Sequence, residues 1–268
     1  MELRTTFPKS VRRLEAEILD YRTSKEHCWS MWLRKLVEKA IIDDSNKHSL
    51  EIEMPMTMNS PKGHLRKCEK EARQRLDKAW DYLSKSVEDK KAPDLEEKNM
   101  IVASQILVPE ARRDPHTQYR AENVIIDNAT YAPPPPNFDP MLPDKHEYRP
   151  VPAQIATMIN ELGHLEGDFH KAIYSHFHIA RIHPFADGNG RLARLVQNAY
   201  LKRGNLLPIV IPSSERELYS SILDAGVQRF YEDSNDNERS SRYIHPFSEY
   251  LVSKMEHSFK LFKEKKVF

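Results

Sequence analysis

The stretch "HPFADGNGRLAR", residues 183–194, decides how this chain is read. It spends two of the seven glycines of a 268-residue chain on one short run, together with a histidine, an aspartate, an asparagine and two arginines. Upstream of it Phe169, Ala172, Ile173, Phe177 and Ala180 recur at steps of three and four residues, and downstream Leu192, Leu195, Val196, Ala199 and Tyr200 do the same. Both series are the apolar stripes of helices. The stretch is therefore a loop that leaves one helix and starts the next.

That placement excludes a dinucleotide-binding glycine turn, which needs a strand before it and an acidic residue roughly 20 positions later. No lysine-serine or lysine-threonine pair closes the run as a Walker loop either. A loop feeding a helix N-terminus offers instead backbone N–H groups without intrahelical acceptors and the positive end of a dipole, which together suit an anion. Gly188 and Gly190 let the backbone turn closely around it, and Arg191 and Arg194, three apart, share a helix face from which forked guanidinium donors reach phosphate oxygens. Asp187 supplies a hard carboxylate of the kind that holds Mg²⁺ together with a substrate's own phosphates. His183 supplies a base of a type whose unperturbed pKa lies near neutrality. The run reads as a polyphosphate cradle with a base beside it.

Around this loop the chain is rich in Leu, Lys, Glu, Arg and Ala and poor in breakers, so a mainly α fold is expected. Helical patterns cover about 10–22, 25–43, 62–89, 95–107, 151–162, 167–181, 191–203, 213–230 and 242–264. The third is amphipathic and heavily charged, and its charge reads as a solvated face. The strand signal is "QYRAENVIIDNATYAPPPP", where the β-branched run 124–126 meets Asp127 and Asn128 before Tyr131, which predicts a small hairpin. Pro133 to Pro136 then enforce an extended connector, with an SH3-type ligand as the sharper alternative.

Lys plus Arg is 41 against 40 for Asp plus Glu, a net charge of +1, so no global field draws nucleic acid or an anionic membrane. No apolar run approaches the length of a membrane span, and the first residues carry no leader-like segment. Cys28 and Cys68 match no metal or redox spacing and read as reduced thiols of a cytoplasmic protein. His176 and His178 are two apart on a helix and point to different faces, unlike a zinc pair at i, i+4. "HPF" recurs at 245–247 without glycines or arginines, as a helix start or an echo. Trp29, Trp32 and Trp80 read as core or helix contacts, and "KLFKEKKVF" at the end as a solvated helix terminus.

The run at 183–194 resembles the signature of Fic-domain proteins, H-x-F-x-(D/E)-G-N-G-R-x-x-R, at every fixed position, and "YRAENVIIDNATYAPPPP" is similar to that family's flap. The resemblance implies a helical Fic core over 94–232 with a β-hairpin flap, preceded by a helical N-terminal region, 1–93, and followed by a C-terminal helical extension, 233–268. It also implies transfer of AMP from ATP to a Ser, Thr or Tyr hydroxyl of a target protein. In that scheme His183 takes the hydroxyl proton and Asp187 holds Mg²⁺ between the α- and β-phosphates. Asn189, with the backbone of Gly188 and Gly190, binds the α-phosphate, Arg191 the β-phosphate and Arg194 the γ-phosphate, while Phe185 anchors the loop. The flap residues Val124, Ile125, Ile126, Asp127 and Asn128 would register a target segment by main-chain pairing. Arg120 and Tyr131 either secure the flap's ends or touch the nucleotide. A glycine-asparagine-lysine version of the motif marks the Doc branch of the superfamily, which transfers a γ-phosphoryl group; this chain has the glycine-asparagine-glycine-arginine form ending at Arg191, so AMP transfer is the expectation.

Many relatives of this type carry an upstream inhibitory helix, (S/T)-x-x-x-E-(G/N), whose glutamate pairs with the second arginine of the motif. "SLEIEM", 49–54, supplies Ser49 and Glu53 at that spacing, although Met54 and Pro55 depart from the pattern. "SNDNER", 234–239, has similar spacing in polar sequence. Glu53 is either this brake or an ordinary exposed carboxylate. Alternatives to AMP transfer are its removal from a target with the help of Glu53, another nucleotide donor, or a silent nucleotide-binding module. A modifiable protein is the expected partner. Self-modification, for which the chain offers eleven tyrosines, and homo-oligomerisation stay open.

Overall fold

A computed structural model describes residues 7–23, 31–53, 62–88, 95–126, 129–142, 148–233 and 242–264. Among these the order is α1 (Lys9–Thr23), α2 (Met31–Glu53), α3 (Lys62–Glu88), α4 (Glu97–Leu107), α5 (Val151–His164), α6 (Asp168–Ile182) and α7 (Asn189–Arg203). A 3-10 turn (Ser213–Glu215), α8 (Arg216–Asp233) and α9 (His245–Glu264) follow. The mainly α expectation holds. No helix among the described residues is long and apolar enough to cross a membrane.

The antiparallel pair α6 and α7 is the centre, and α3, α2 and α4 pack on α7. α7 is buried along nearly its whole length because it presents apolar residues on more than one face: Leu192, Ala193, Leu195, Val196, Ala199, Tyr200 and Leu201. Each large apolar side chain so enclosed contributes about 1.5–3 kcal/mol. The far end of the pair is fastened by Arg203, whose Nε and Nη2 donate to Asp168 Oδ1 at 2.8 and 2.5 Å. The near end is the 183–188 loop. α1 lies against α9, with Tyr21 edge-on to Phe259 and Phe262.

α2 runs ten residues beyond the predicted boundary, so that Ser49 to Glu53 form its last turn. Its buried face is partly polar. Ser45 Oγ donates to the Ile209 carbonyl at 3.0 Å and accepts from Asn198 Nδ2 at 3.1 Å, and Asn46 Nδ2 donates to Asp77 at 3.2 Å. Beside them Ile41, Ile42, Leu50 and Ile52 are buried.

The expected hairpin is not seen among the described residues: no strand occurs in them, and Asp127 and Asn128 lie outside them. The reason is where the carbonyls go. Arg120 donates from Nη1 to the Glu122 carbonyl at 2.8 Å and from Nη2 to the Pro134 carbonyl, so a side chain takes acceptors that a ladder would have used. The four prolines offer no N–H in return. Pro134 is buried and the Pro135 carbonyl accepts from Val151 N at 3.0 Å, so the proline run is a packed connector.

Candidate functional site

α6 ends at Ile182, and His183 closes it in the left-handed region, φ 51° and ψ 56°, its N–H donating to the Ile179 carbonyl at 3.0 Å. A histidine tolerates this conformation better than a branched residue would. Its Nδ1 lies 3.3 Å from the Ala180 carbonyl. A carbonyl only accepts, so the proton sits on Nδ1 and Nε2 is the basic nitrogen of the neutral ring.

Phe185 drives the loop inward: it is 1 % exposed and its ring centroid lies 5.6 Å from that of Tyr119. Asn189 locks the turn from the other side. The Phe185 N–H donates to Asn189 Oδ1 at 2.9 Å and Asn189 Nδ2 donates to the Phe185 carbonyl at 2.8 Å. The side-chain amide of Asn189 thus clamps the loop, and the residue opens the first turn of α7.

The two glycines differ. Gly188 is left-handed at φ 81°, and a Cβ there would stand 3.0 Å from Val108 Cγ2 and 3.5 Å from the Arg191 guanidinium. Gly190 is helical and is not among the positive-φ residues, so only Gly188 needs the freedom expected of both. Gly190 keeps the helix start bare of a side chain.

Both arginines are buried, Arg191 at 7 % and Arg194 at 4 % exposure. They serve different neighbours. Arg191 Nη2 lies 3.3 Å from Asp187 Oδ1, which also accepts from the Gly188 N–H at 2.5 Å. Arg194 reaches α2, with Nε donating to Ser49 Oγ at 2.7 Å and Nη2 to the Ser49 carbonyl at 3.2 Å. Ser49, itself 3 % exposed, thereby ties the last turn of α2 to Arg194. Glu53 is the final residue of α2; its side chain, Met54, Pro55 and the 234–239 alternative lie outside what is described.

Asp187 is 64 % exposed by side chain and stands in no cluster of three metal-type ligands among the described residues. A single accessible carboxylate fits a Mg²⁺ ion held mainly by a nucleotide's phosphates rather than by a protein cage.

The paired histidines are spent elsewhere. His176 Nδ1 lies 2.6 Å from Gln197 Oε1 and Nε2 2.8 Å from the Tyr219 hydroxyl, and burial holds its pKa down at about 3. His178 meets the Tyr243 hydroxyl at 2.9 Å and accepts from Arg181 Nε at 3.2 Å. Trp80 packs on the core, Cys68 takes part in no disulfide among the described residues, and His245 is the first residue of α9; Cys28 and Trp29 lie outside the described residues.

Two features were not foreseen. Asp224 of α8 holds the far end of the flap, accepting from Thr130 N at 2.7 Å and from Thr130 Oγ1 at 2.6 Å, while Gln228 also reaches Thr130. Arg113 caps the C-terminus of α4 by donating to the carbonyls of Ser104 and Val108 at 3.1 and 2.8 Å. The cues were an acidic residue on α8 and an arginine just past a helix end, both too common to single out.

Residues 94–201 match the model of the Fic/DOC family. A curated relative, the protein adenylyltransferase Fic of Drosophila persimilis, is 44 % identical over 52 residues, which is 19 % of this chain and 10 % of that protein. The chain thus aligns with about a tenth of that relative's length. Among solved structures, a Fic domain containing signaling protein from Bacteroides thetaiotaomicron superposes with a TM-score of 0.70 at 19 % identity, covering 94 % of this chain and 96 % of the other. Fic-1 from C. elegans gives 0.60 at 18 % identity over 95 % and 73 %. These two likenesses concern the fold.

Proposed function

We propose that the protein, whose residues 94–201 match the Fic/DOC family model, transfers AMP from ATP to a Ser, Thr or Tyr hydroxyl of a target protein. The observation that carries this is the pairing of His183, with Nε2 as its basic nitrogen, with a helix N-terminus flanked by Arg191 a few residues on. In the reaction the target oxygen attacks the α-phosphorus, the bond from that phosphorus to the α,β-bridging oxygen breaks, and pyrophosphate leaves. His183 Nε2 takes the hydroxyl proton. The first-turn N–H groups of α7 face the negative charge that builds on the α-phosphate, a preorganised arrangement that needs no rearrangement during the step. Arg191 serves the β-phosphate. Asp187 would hold Mg²⁺, which offsets phosphate charge when bound.

The Ser49–Arg194 contact supports reading α2 as a brake, because the guanidinium proposed for the γ-phosphate is already engaged by α2. The test uses the purified protein with Mg²⁺ and ATP labelled at the α- or the γ-phosphate, following label on the protein and on a cell lysate. Transfer of α-label alone supports the proposal. Transfer of γ-label would make the protein a kinase, and no transfer would point to another donor, removal of AMP, or a binding role.

A further inference from the structure

The candidate base and the flap are more than 50 positions apart in sequence, yet one side chain spans them. Arg120 is 2 % exposed. Its Nε donates to the His183 carbonyl at 2.8 Å, its Nη1 to the Glu122 carbonyl at 2.8 Å and its Nη2 to the Pro134 carbonyl, while its main-chain N–H donates to the Pro184 carbonyl at 3.0 Å. The guanidinium thus joins three segments: the loop carrying His183, the entry to the flap and its return. Its burial and these carbonyl partners assign it to the backbone, not to a nucleotide.

We propose that Arg120 is a positioning residue that fixes the flap relative to His183, so that a hydroxyl presented on the flap arrives in line with the base. The proposal rests on reading His183 as that base. A planar fork held by three carbonyls resists rotation in a way that one flexible ammonium cannot. In-line transfer depends on the base and the acceptor oxygen keeping a separation near 3 Å, and an error of about 1 Å costs on the order of a hundredfold. The far end of the flap is pinned differently, by Asp224 of α8 to Thr130, a contact that does not include His183. The two pins therefore separate two roles: Asp224 restrains the flap, whereas Arg120 restrains the flap and the base together.

The test compares Arg120→Gln with Asp224→Ala in the full chain by NMR, following the His183 ring resonances and the backbone order parameters of Val124, Ile125 and Ile126. Arg120→Gln is expected to shift the ring resonances and lower the order parameters. Asp224→Ala is expected to lower the order parameters with the ring resonances in place. With α-labelled ATP, Arg120→Gln is expected to lose at least about tenfold in label transfer while its affinity for ATP stays within about twofold. If Arg120→Gln does not fold, Arg120→Lys takes its place with the same readouts. A loosened flap with an unmoved His183 ring would reduce Arg120 to a flap tether and overturn the proposal. The NMR readouts need no nucleotide, so a wild type that transfers no label would defeat the AMP-transfer reading while leaving the coupling to be judged on the ring and the flap.

Discussion

Ser49 and Arg194 meet across 145 positions of sequence, the arginine Nε donating to the serine hydroxyl at 2.7 Å and its Nη2 to the serine carbonyl at 3.2 Å. The contact sets the last turn of α2 against the cation proposed for the terminal phosphate. Ser49→Ala removes the first of these bonds and is expected to lower stability by about 1–3 kcal/mol, the usual range for a buried bond to a charged group. Transfer of α-label is expected to rise at the same time, and Glu53→Gly to raise it as well. A melting curve beside a labelling assay reads both. Unchanged transfer in both variants would remove the brake from the account.

His183→Ala is expected to lower α-label transfer by about 10²- to 10⁴-fold, the range of a lost general base. ATP binding, measured by calorimetry, is expected to persist because the helix N-terminus and the arginines remain. Equal loss of binding and transfer would make His183 a structural cap of α6.

Asn189→Ala removes both bonds between its amide and the Phe185 backbone. The expected cost is about 2–4 kcal/mol, since a buried N–H and a buried carbonyl are left without these partners. Denaturant unfolding measures it. Because the loop also sets His183, transfer is expected to fall more steeply than the folded fraction.

Acid is expected to destabilise the fold through His176. Its folded pKa is held near 3 by burial, against 6.5 for an ordinary histidine, so the unfolded chain binds this proton first as pH falls. Stability from this group is intact above about 6.5 and is lost progressively down to about 3, at no more than about 1.4 kcal/mol per pH unit. His170, whose pKa burial also lowers, acts with the same sign. Unfolding free energies measured between pH 7 and 4 test this, and His176→Gln should flatten the slope.

What the sequence disclosed follows from where each signal lies. The 183–194 run was legible because its residue types are contiguous: histidine, carboxylate, glycines and arginines fall in the loop after α6 and the first turns of α7, between two apolar stripes. The last ten residues of α2 were not, because apolar periodicity cannot find a helix that buries Ser45, Asn46 and Ser49 against polar partners on α3 and α7. No strand pairing is seen around the expected hairpin among the described residues for a related reason. The run 124–126 has strand-like composition, but the carbonyls around it are claimed by Arg120, a residue that nothing local ties to Pro134 or His183. The amide of Asn189 turned inward because the loop's own N–H and carbonyl at Phe185 had to be satisfied first.

The depth at which Arg191 and Arg194 lie bears on how the site responds to dissolved ions. Counterions crowd around exposed charges and weaken their pull within about 10 Å at 0.1 M salt, but they reach buried charges far less. With both guanidiniums below a tenth of their full exposure in a chain of net charge +1, the attraction proposed for a polyphosphate would be local and shielded from the medium. Nucleotide affinity should then change little with ionic strength, in contrast to a basic surface patch, whose hold on the same anion fades as salt is added.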